Sequence, residues 1–195
     1  MVSVNTGARP TKAITVFGHV CGDYTVPVRK LSQREAAASK ESVLGINGFR
    51  RESLWTPADL KREHGLTFQD VIEQQGWDLA KLPFSKGGPA ASAALAAFQL
   101  ANPNTTVVSF KGAIGDDPVG QRVMDYFRTY NMDPSCLMKI QGVPTSYSLV
   151  IPEHVEGEGD KRSFLHDPGA NAALTFDGIP ENDIKIGRAS CRERV

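Results

Sequence analysis

The segment at residues 87–120, GGPAASAALAAFQLANPNTTVVSFKGAIGDDPVG, constrains the fold of this chain more than any other stretch. A glycine pair opens an alanine-rich run, a β-branched run follows, and that run leaves into a Gly-Asp-Asp turn. Gly87 and Gly88 can take positive φ and let another group approach the backbone closely. A helix starting after them begins with free N–H groups, a ready place for hydroxyls or anions. Val107, Val108 and Phe110 read as a buried parallel strand whose exit Gly112 and Gly115 punctuate. A helix joined to strands in this order implies an α/β chain with crossover connections.

The chain's 195 residues are enough to bury a core and suggest one domain. Its 22 basic and 22 acidic residues balance, so no basic field argues for nucleic acid or an anionic membrane as partner. No apolar run approaches the roughly 20 residues that a membrane helix needs. Cys21, Cys136 and Cys191 are widely spaced with no C-x-x-C, which fits a reducing compartment better than a disulfide scaffold. Residues 1–12 are polar and carry Arg9 and Lys12, too little for a signal or transit peptide. The expectation is a soluble intracellular protein, cytoplasmic in preference to plastid. His19, His64, His154 and His166 share no ligand spacing, so no metal site is assigned. Neither a G-x-x-x-x-G-K-[ST] loop nor a G-x-G-x-x-G run occurs, which argues against a P-loop enzyme and a dinucleotide dehydrogenase.

Residues 118–130 place Val119, Val123, Tyr126, Phe127 and Tyr130 on one stripe and predict an amphipathic helix that Asn131 ends. Runs 136–140, 147–151 and 163–165 predict short strands, the last two joined as a hairpin by the Gly/Glu-rich turn at 156–160. Residues 28–84 read as an inserted, partly helical segment. Its stretch 31–41 is helix-prone, and Thr56-Pro57-Ala58-Asp59 and Thr67-Phe68-Gln69-Asp70 both read as capping boxes. Gly65 and Gly76 then end two helices, and Phe68, Val71, Ile72 and Trp77 supply a packing face. The insert is either a surface insertion without function or an interaction surface. Residues 186–195, IGRASCRERV, have no hydrophobic period and resemble the translation of a sequencing adapter, so this tail is expected to be non-native.

The segment at 87–120 resembles the first signature of the PfkB/ribokinase family of sugar kinases, where GG-x-x-x-N-x-A and G-x-G-D-D-x-x-G occur in this order. The run from Ala13 to Asp23 resembles the family's opening strand, ending in G-x-x-N-x-D. Pro144-Thr145-Ser146 and the strand after it resemble the strand pair over the substrate, and Pro168-Gly169-Ala170-Asn171-Ala172 matches the P-G-A-N-A turn. The likeness covers 13–27 and 85–176 and fails between them. Cys21 stands where the family usually has Asn, and Ser92 where it has the Asn of GG-x-x-x-N.

The resemblance implies a ribokinase-like three-layer αβα sandwich with a small β lid, of which residues 1–185 form the N-terminal part. It implies transfer of the ATP γ-phosphoryl group to a sugar or nucleoside hydroxyl, with Mg²⁺, and a homodimer through the lid. The family's catalytic Asp belongs to a G-A-G-D motif that this sequence does not contain, so no catalytic residue is assigned.

The expected substrate-binding residues are Asp23, Gly87, Gly88, Ser92, Thr145, Arg162 and Asn171. Each has a plainer reading. Asp23, expected at the C-terminal end of a strand, could cap a turn. The glycine pair could be only a tight turn, and Ser92 only a small packing residue. Thr145 matches the lid-strand Thr, Arg162 could be a solvated edge charge, and Asn171 a left-handed turn residue. Asp116 and Asp117 are read as the acidic start of the helix at Pro118. An alternative function is a non-catalytic, fructokinase-like scaffold or regulatory protein, suggested by the loss of both Asn residues and the gain of the insert.

Overall fold

A computed structural model of the chain describes residues 12–133 and 137–174. Cys136, Cys191 and the 186–195 tail lie outside the described residues. Along the chain run β1 (Lys12–Phe17), β2 (Cys21–Thr25), β3 (Arg29–Leu31), α1 (Gln33–Ala38), β4 (Leu54–Trp55), α2 (Pro57–His64), α3 (Phe68–Gln74), β5 (Phe84–Gly87), α4 (Pro89–Leu100), β6 (Thr106–Gly115), α5 (Pro118–Thr129), β7 (Leu137–Ile140), β8 (Tyr147–Val155) and β9 (Gly159–Asp167). These elements fall into two compact units. The first draws on described stretches within Met1–Val20, Gly87–Thr145 and Ala170–Val195, the second on Cys21–Lys86 and Ser146–Gly169.

The first unit is a parallel sheet in the order β1-β6-β7, with α4 and α5 packed against it. The helix α4 buries Ala91, Ala94 and Leu95 and carries no charge, so its packing face is set by small side chains. The amphipathic helix expected at 118–130 is present as α5, with Val123 and Phe127 buried. Its Phe127 ring stacks on Phe110 of β6 at 5.4 Å. Asp117 is its N-cap and accepts from the Gly120 N–H at 2.7 Å, and Asn131 follows its end at φ 56°, the left-handed conformation that Asn tolerates.

The opening strand expected from 13 to 23 is two strands. β1 stops at Phe17, and Gly18 turns the chain at φ 144°. A Cβ at Gly18 would lie 2.7 Å from the Ala90 Cβ, so only glycine permits that close approach. Asp23 therefore sits within β2 of the second unit, not at the C-terminal end of a parallel-sheet strand.

The second unit is a six-stranded sheet in the order β4-β9-β8-β2-β5, with β3 also paired to β8. The hairpin expected from the Gly/Glu-rich turn is present as antiparallel β8 and β9, each longer than the sequence pattern suggests. Period-two alternation gives the sheet two unlike faces. Leu149, Ile151, Glu153 and Val155 of β8 and Ser163 and Leu165 of β9 are all buried on one of them.

The insert covers that buried face. Its Val43, Phe49, Leu60, Phe68, Val71 and Ile72 are themselves buried. An aromatic chain crosses from sheet to insert: Phe84 meets Tyr24 at 5.2 Å, Tyr24 meets Tyr147 at 6.3 Å, and Tyr147 meets Phe68 at 5.9 Å, all edge-on. Ala36 of α1 packs with Leu31 and Val155. The insert thus forms part of the unit's core.

One buried charge lies in that layer. Glu153, 1% exposed, accepts from Arg29 at 2.9 Å and from Arg51 at 2.7 Å. Arg51 also donates to the Ala36 carbonyl and to the Ser39 hydroxyl, which ties the insert to β8. Both expected capping boxes are formed, and a third links Ser32 with Glu35 at the start of α1. Gly65 ends α2 at φ 69°.

Replacing Glu153 by Ala strands two arginines against a buried face, so Glu153→Ala is expected to lower unfolding stability by about 3 kcal/mol or more in urea titration. Hydrogen bonds from the N-cap hydroxyl and N–H hold Glu35, Asp59 and Asp70 below the usual carboxylate range, Asp59 at about 2. Groups depressed in the folded state stabilise it above their ordinary pKa, near 4, and lose that contribution as pH falls through the folded value. Far-UV circular dichroism should therefore show helix content falling between about pH 4 and about pH 2, and substituting Thr56 by Ala should raise the pH at which the loss begins.

Candidate functional site

The face of the six-stranded sheet opposite the insert is open. Parallel register sets Asp23 beside Ser148 and Thr25 beside Val150, and antiparallel register sets Ser148 beside His166, Val150 beside Phe164 and Pro152 beside Arg162. Residues paired in this way share one face. A cleft of about 430 Å³ occupies it, lined among others by Asp23, Ser85, Val150, Pro152, Arg162 and Phe164. Two of the expected substrate residues, Asp23 and Arg162, thus meet in one cleft of the second unit.

The environment of Asp23 is polar but partly dry. The Cys21 thiol, two residues earlier on the same strand, donates to Asp23 Oδ1 at 3.3 Å. Burial first, and then the Asp23 charge, push that thiol up to about 12, so it stays protonated. Partial burial pulls the Lys86 ammonium below its ordinary value, while the Asp23 charge and Cys21 act in the other direction. Across the row, Ser148 Oγ and His166 Nδ1 are 3.0 Å apart. The cleft joins carboxylates, hydroxyls and a guanidinium to a partly apolar floor, with Ser148 and His166 in the neighbouring row of the same face, and suits a ligand rich in hydroxyl groups.

The remaining expected residues belong to the first unit. Gly88, at φ 95°, caps the N-terminus of α4, and a Cβ there would lie 2.3 Å from the His19 carbonyl oxygen. Gly87 is buried, and Ser92 is exposed in the early turns of α4.

Asn171, 5% exposed, lies in the 3-10 turn Gly169–Ala173 and does not have positive φ. Its amide pairs with one residue's backbone, donating from Nδ2 to the Val20 carbonyl at 3.0 Å and accepting at Oδ1 from the Val20 N–H at 3.2 Å. It splints the link after β1, and the left-handed turn expected of it does not form.

Thr145 likewise braces the interior of the first unit. It is fully buried, its Oγ1 accepts from the Gly115 N–H at 2.8 Å and donates to Asp117 Oδ1 at 2.7 Å, and its own N–H donates to Asp117 Oδ2.

Ser148 and Lys86 escaped the sequence reading, and His166 was considered only as a metal ligand. Their proximity to Asp23 depends on the pairing of strands far apart in sequence, for which a single sequence carries no signal. Among the described residues no group of three or more His, Cys, Asp or Glu converges. Asp116 is paired with Lys139 at 2.8 Å, and both oxygens of Asp117 are engaged in the turn.

No protein-family model matches the sequence. A ribokinase from Schizosaccharomyces pombe is 33% identical over 85 residues, 44% of this chain and 26% of that protein. Among solved structures, adenosine kinase from Schistosoma mansoni with tubercidin superposes at a TM-score of 0.57 and 14% identity, covering 90% of this chain and 44% of that one. Adenosine kinase from Sinorhizobium meliloti gives 0.54 at 12% identity, over 90% and 45%. Ribokinase from Thermotoga maritima gives 0.50 at 15% identity, over 88% and 41%. The chain spans under half the length of each of these.

Removing the Asn171 amide leaves a buried N–H and a buried carbonyl at Val20 unpaired, so Asn171→Ala should cost on the order of 2–3 kcal/mol in chemical denaturation. Asn171→Asp, which keeps the acceptor and loses the donor, should fall between that variant and the parent.

Proposed function

We propose that this chain, which is similar to a ribokinase over 85 residues and shares a fold with adenosine kinase and ribokinase structures, is the substrate-binding portion of an ATP-dependent sugar or nucleoside kinase. The observation that carries the reading is the open sheet face, where Asp23 and Arg162 line one cleft while the opposite face is filled by the chain's own insert. A carboxylate accepts from paired hydroxyls, and a guanidinium donates to oxygen acceptors. Gly87, Gly88 and Ser92, at the start of α4, are proposed as hydroxyl contacts of the first unit.

ATP with Mg²⁺ would supply the phosphoryl group in the whole enzyme. No step of that transfer is assigned to residues of this chain, which lacks the G-A-G-D motif. A homodimer through the lid would have to use the open face or the sheet's edges, because the other face is already covered. No described helix is long and apolar enough to cross a membrane. The proposed compartment is the cytoplasm, with a plastid the alternative.

The second reading is a non-catalytic scaffold of the fructokinase-like kind. One observation favours it: the Cys21 thiol already occupies Asp23 Oδ1, where the family's Asn would leave a carboxamide for the substrate.

The test is calorimetry of the chain with neutral sugars and nucleosides. A charge-assisted hydrogen bond contributes about 1.5–3 kcal/mol, so Asp23→Ala should weaken binding by roughly one to two decades. Unchanged affinity in a folded Asp23→Ala variant would remove the residue from the site. The chain itself should consume no ATP, and sugar-dependent ATP consumption would overturn the division between a binding portion and a missing catalytic one.

A further inference from the structure

On the reading of the open cleft as a sugar site, we infer that Ser148 and His166 contact the substrate and determine which neutral polyol it accepts. Backbone register places Asp23, Ser148 and His166 side by side on β2, β8 and β9, in one row across the open face. Adjacent strands are about 4.8 Å apart, so the row spans about 10 Å between its outer backbones. The next row, Thr25, Val150 and Phe164, is largely apolar and forms part of the cleft. A ligand on this face meets a polar strip beside an apolar one, the pattern a sugar ring presents with its hydroxyl edge and its C–H face.

The chemistry of the row is graded. Asp23 only accepts, whereas a serine hydroxyl and a neutral imidazole each donate and accept. The 3.0 Å contact between Ser148 Oγ and His166 Nδ1 makes the pair interdependent. When Nδ1 accepts, the serine proton is committed to histidine and Ser148 offers lone pairs to the ligand. When Nδ1 carries the proton, it donates to Ser148, whose own proton then turns to the Cys21 sulfur or to a ligand. The imidazole tautomer therefore sets the polarity that Ser148 shows. Ser148 is 7% exposed and already bonded to His166, so a ligand reaches it only by matching the one polarity that this pairing leaves, a constraint that favours discrimination. The order along the row is Asp, Ser, His, with the carboxylate beside serine and not on the imidazole, so the row is not a nucleophilic relay.

The experiment measures binding of ribose, fructose, glucose and adenosine to the chain by ligand-observed NMR and calorimetry. The variants are Ser148→Ala, His166→Ala, His166→Gln and Asp23→Asn, with circular dichroism as the check of folding. Ser148→Ala and His166→Ala should weaken the best ligand by about tenfold and change the rank order of the panel. His166→Gln, whose amide can still bond Ser148, should restore the parent order. Should His166→Ala fail to fold, Ser148→Ala, which removes a single oxygen, decides the matter. An unchanged rank order in folded variants, with Asp23→Asn weakening every ligand, would overturn the role of Ser148 and His166 and leave the sugar site standing. A parent that binds nothing in the panel, or an Asp23→Asn variant that binds as the parent does, would overturn both.

Discussion

Glu153 brings a carboxylate into a layer where the alternation of β8 otherwise places Leu149, Ile151 and Val155. Two arginines meet it, and one of them, Arg51, reaches on to the carbonyl and hydroxyl that end α1. Magnitudes separate what this triad does from what drives the docking. Each fully buried Phe, Leu, Ile or Val side chain is worth about 1.5–3 kcal/mol, and the insert buries at least six of them. The ions lose hydration on burial and regain it only through good geometry, so their net contribution is small. Apolar burial supplies the drive, and the triad ties this seating of the insert to β8 through Arg51. The site follows from that seating, because covering one face of the sheet leaves the opposite face, with its cleft, open to a ligand.

Features encoded within a few residues were legible in the sequence. The capping boxes at Thr56 and Thr67 need only a hydroxyl and a carboxylate three positions apart, and both form as read. The helix at Pro118, its acidic start and the hairpin turn near Gly157 are equally local. Features that depend on chain crossing were not legible. The run from Ala13 to Asp23 has one strand's composition, and its division rests on Ala90 standing where a Gly18 Cβ would go. Asn171 and Thr145 carry side chains suited to ligands, and both are spent on backbone groups far away in sequence. The insert offered apolar residues without saying what they would cover, so a surface segment and a core layer read alike.

The same distinction bears on Cys21. In sequence it is only a departure from Asn at a position next to the expected acid. In the structure its proton is fixed, because burial and the neighbouring carboxylate both disfavour the thiolate. A thiol is a weak donor, so its bond to Asp23 Oδ1 is easily exchanged for one from a hydroxyl. A carboxamide at that place would hold a ligand oxygen and a ligand proton together, whereas the thiol offers one weak donor and no comparable acceptor. Recognition on the β2 side of the row therefore rests on Asp23 alone. Selectivity on this face then falls more heavily on other groups, among them Ser148, His166 and Arg162 on β8 and β9, and a substitution that looks like the loss of a site residue shifts the burden of recognition across the sheet.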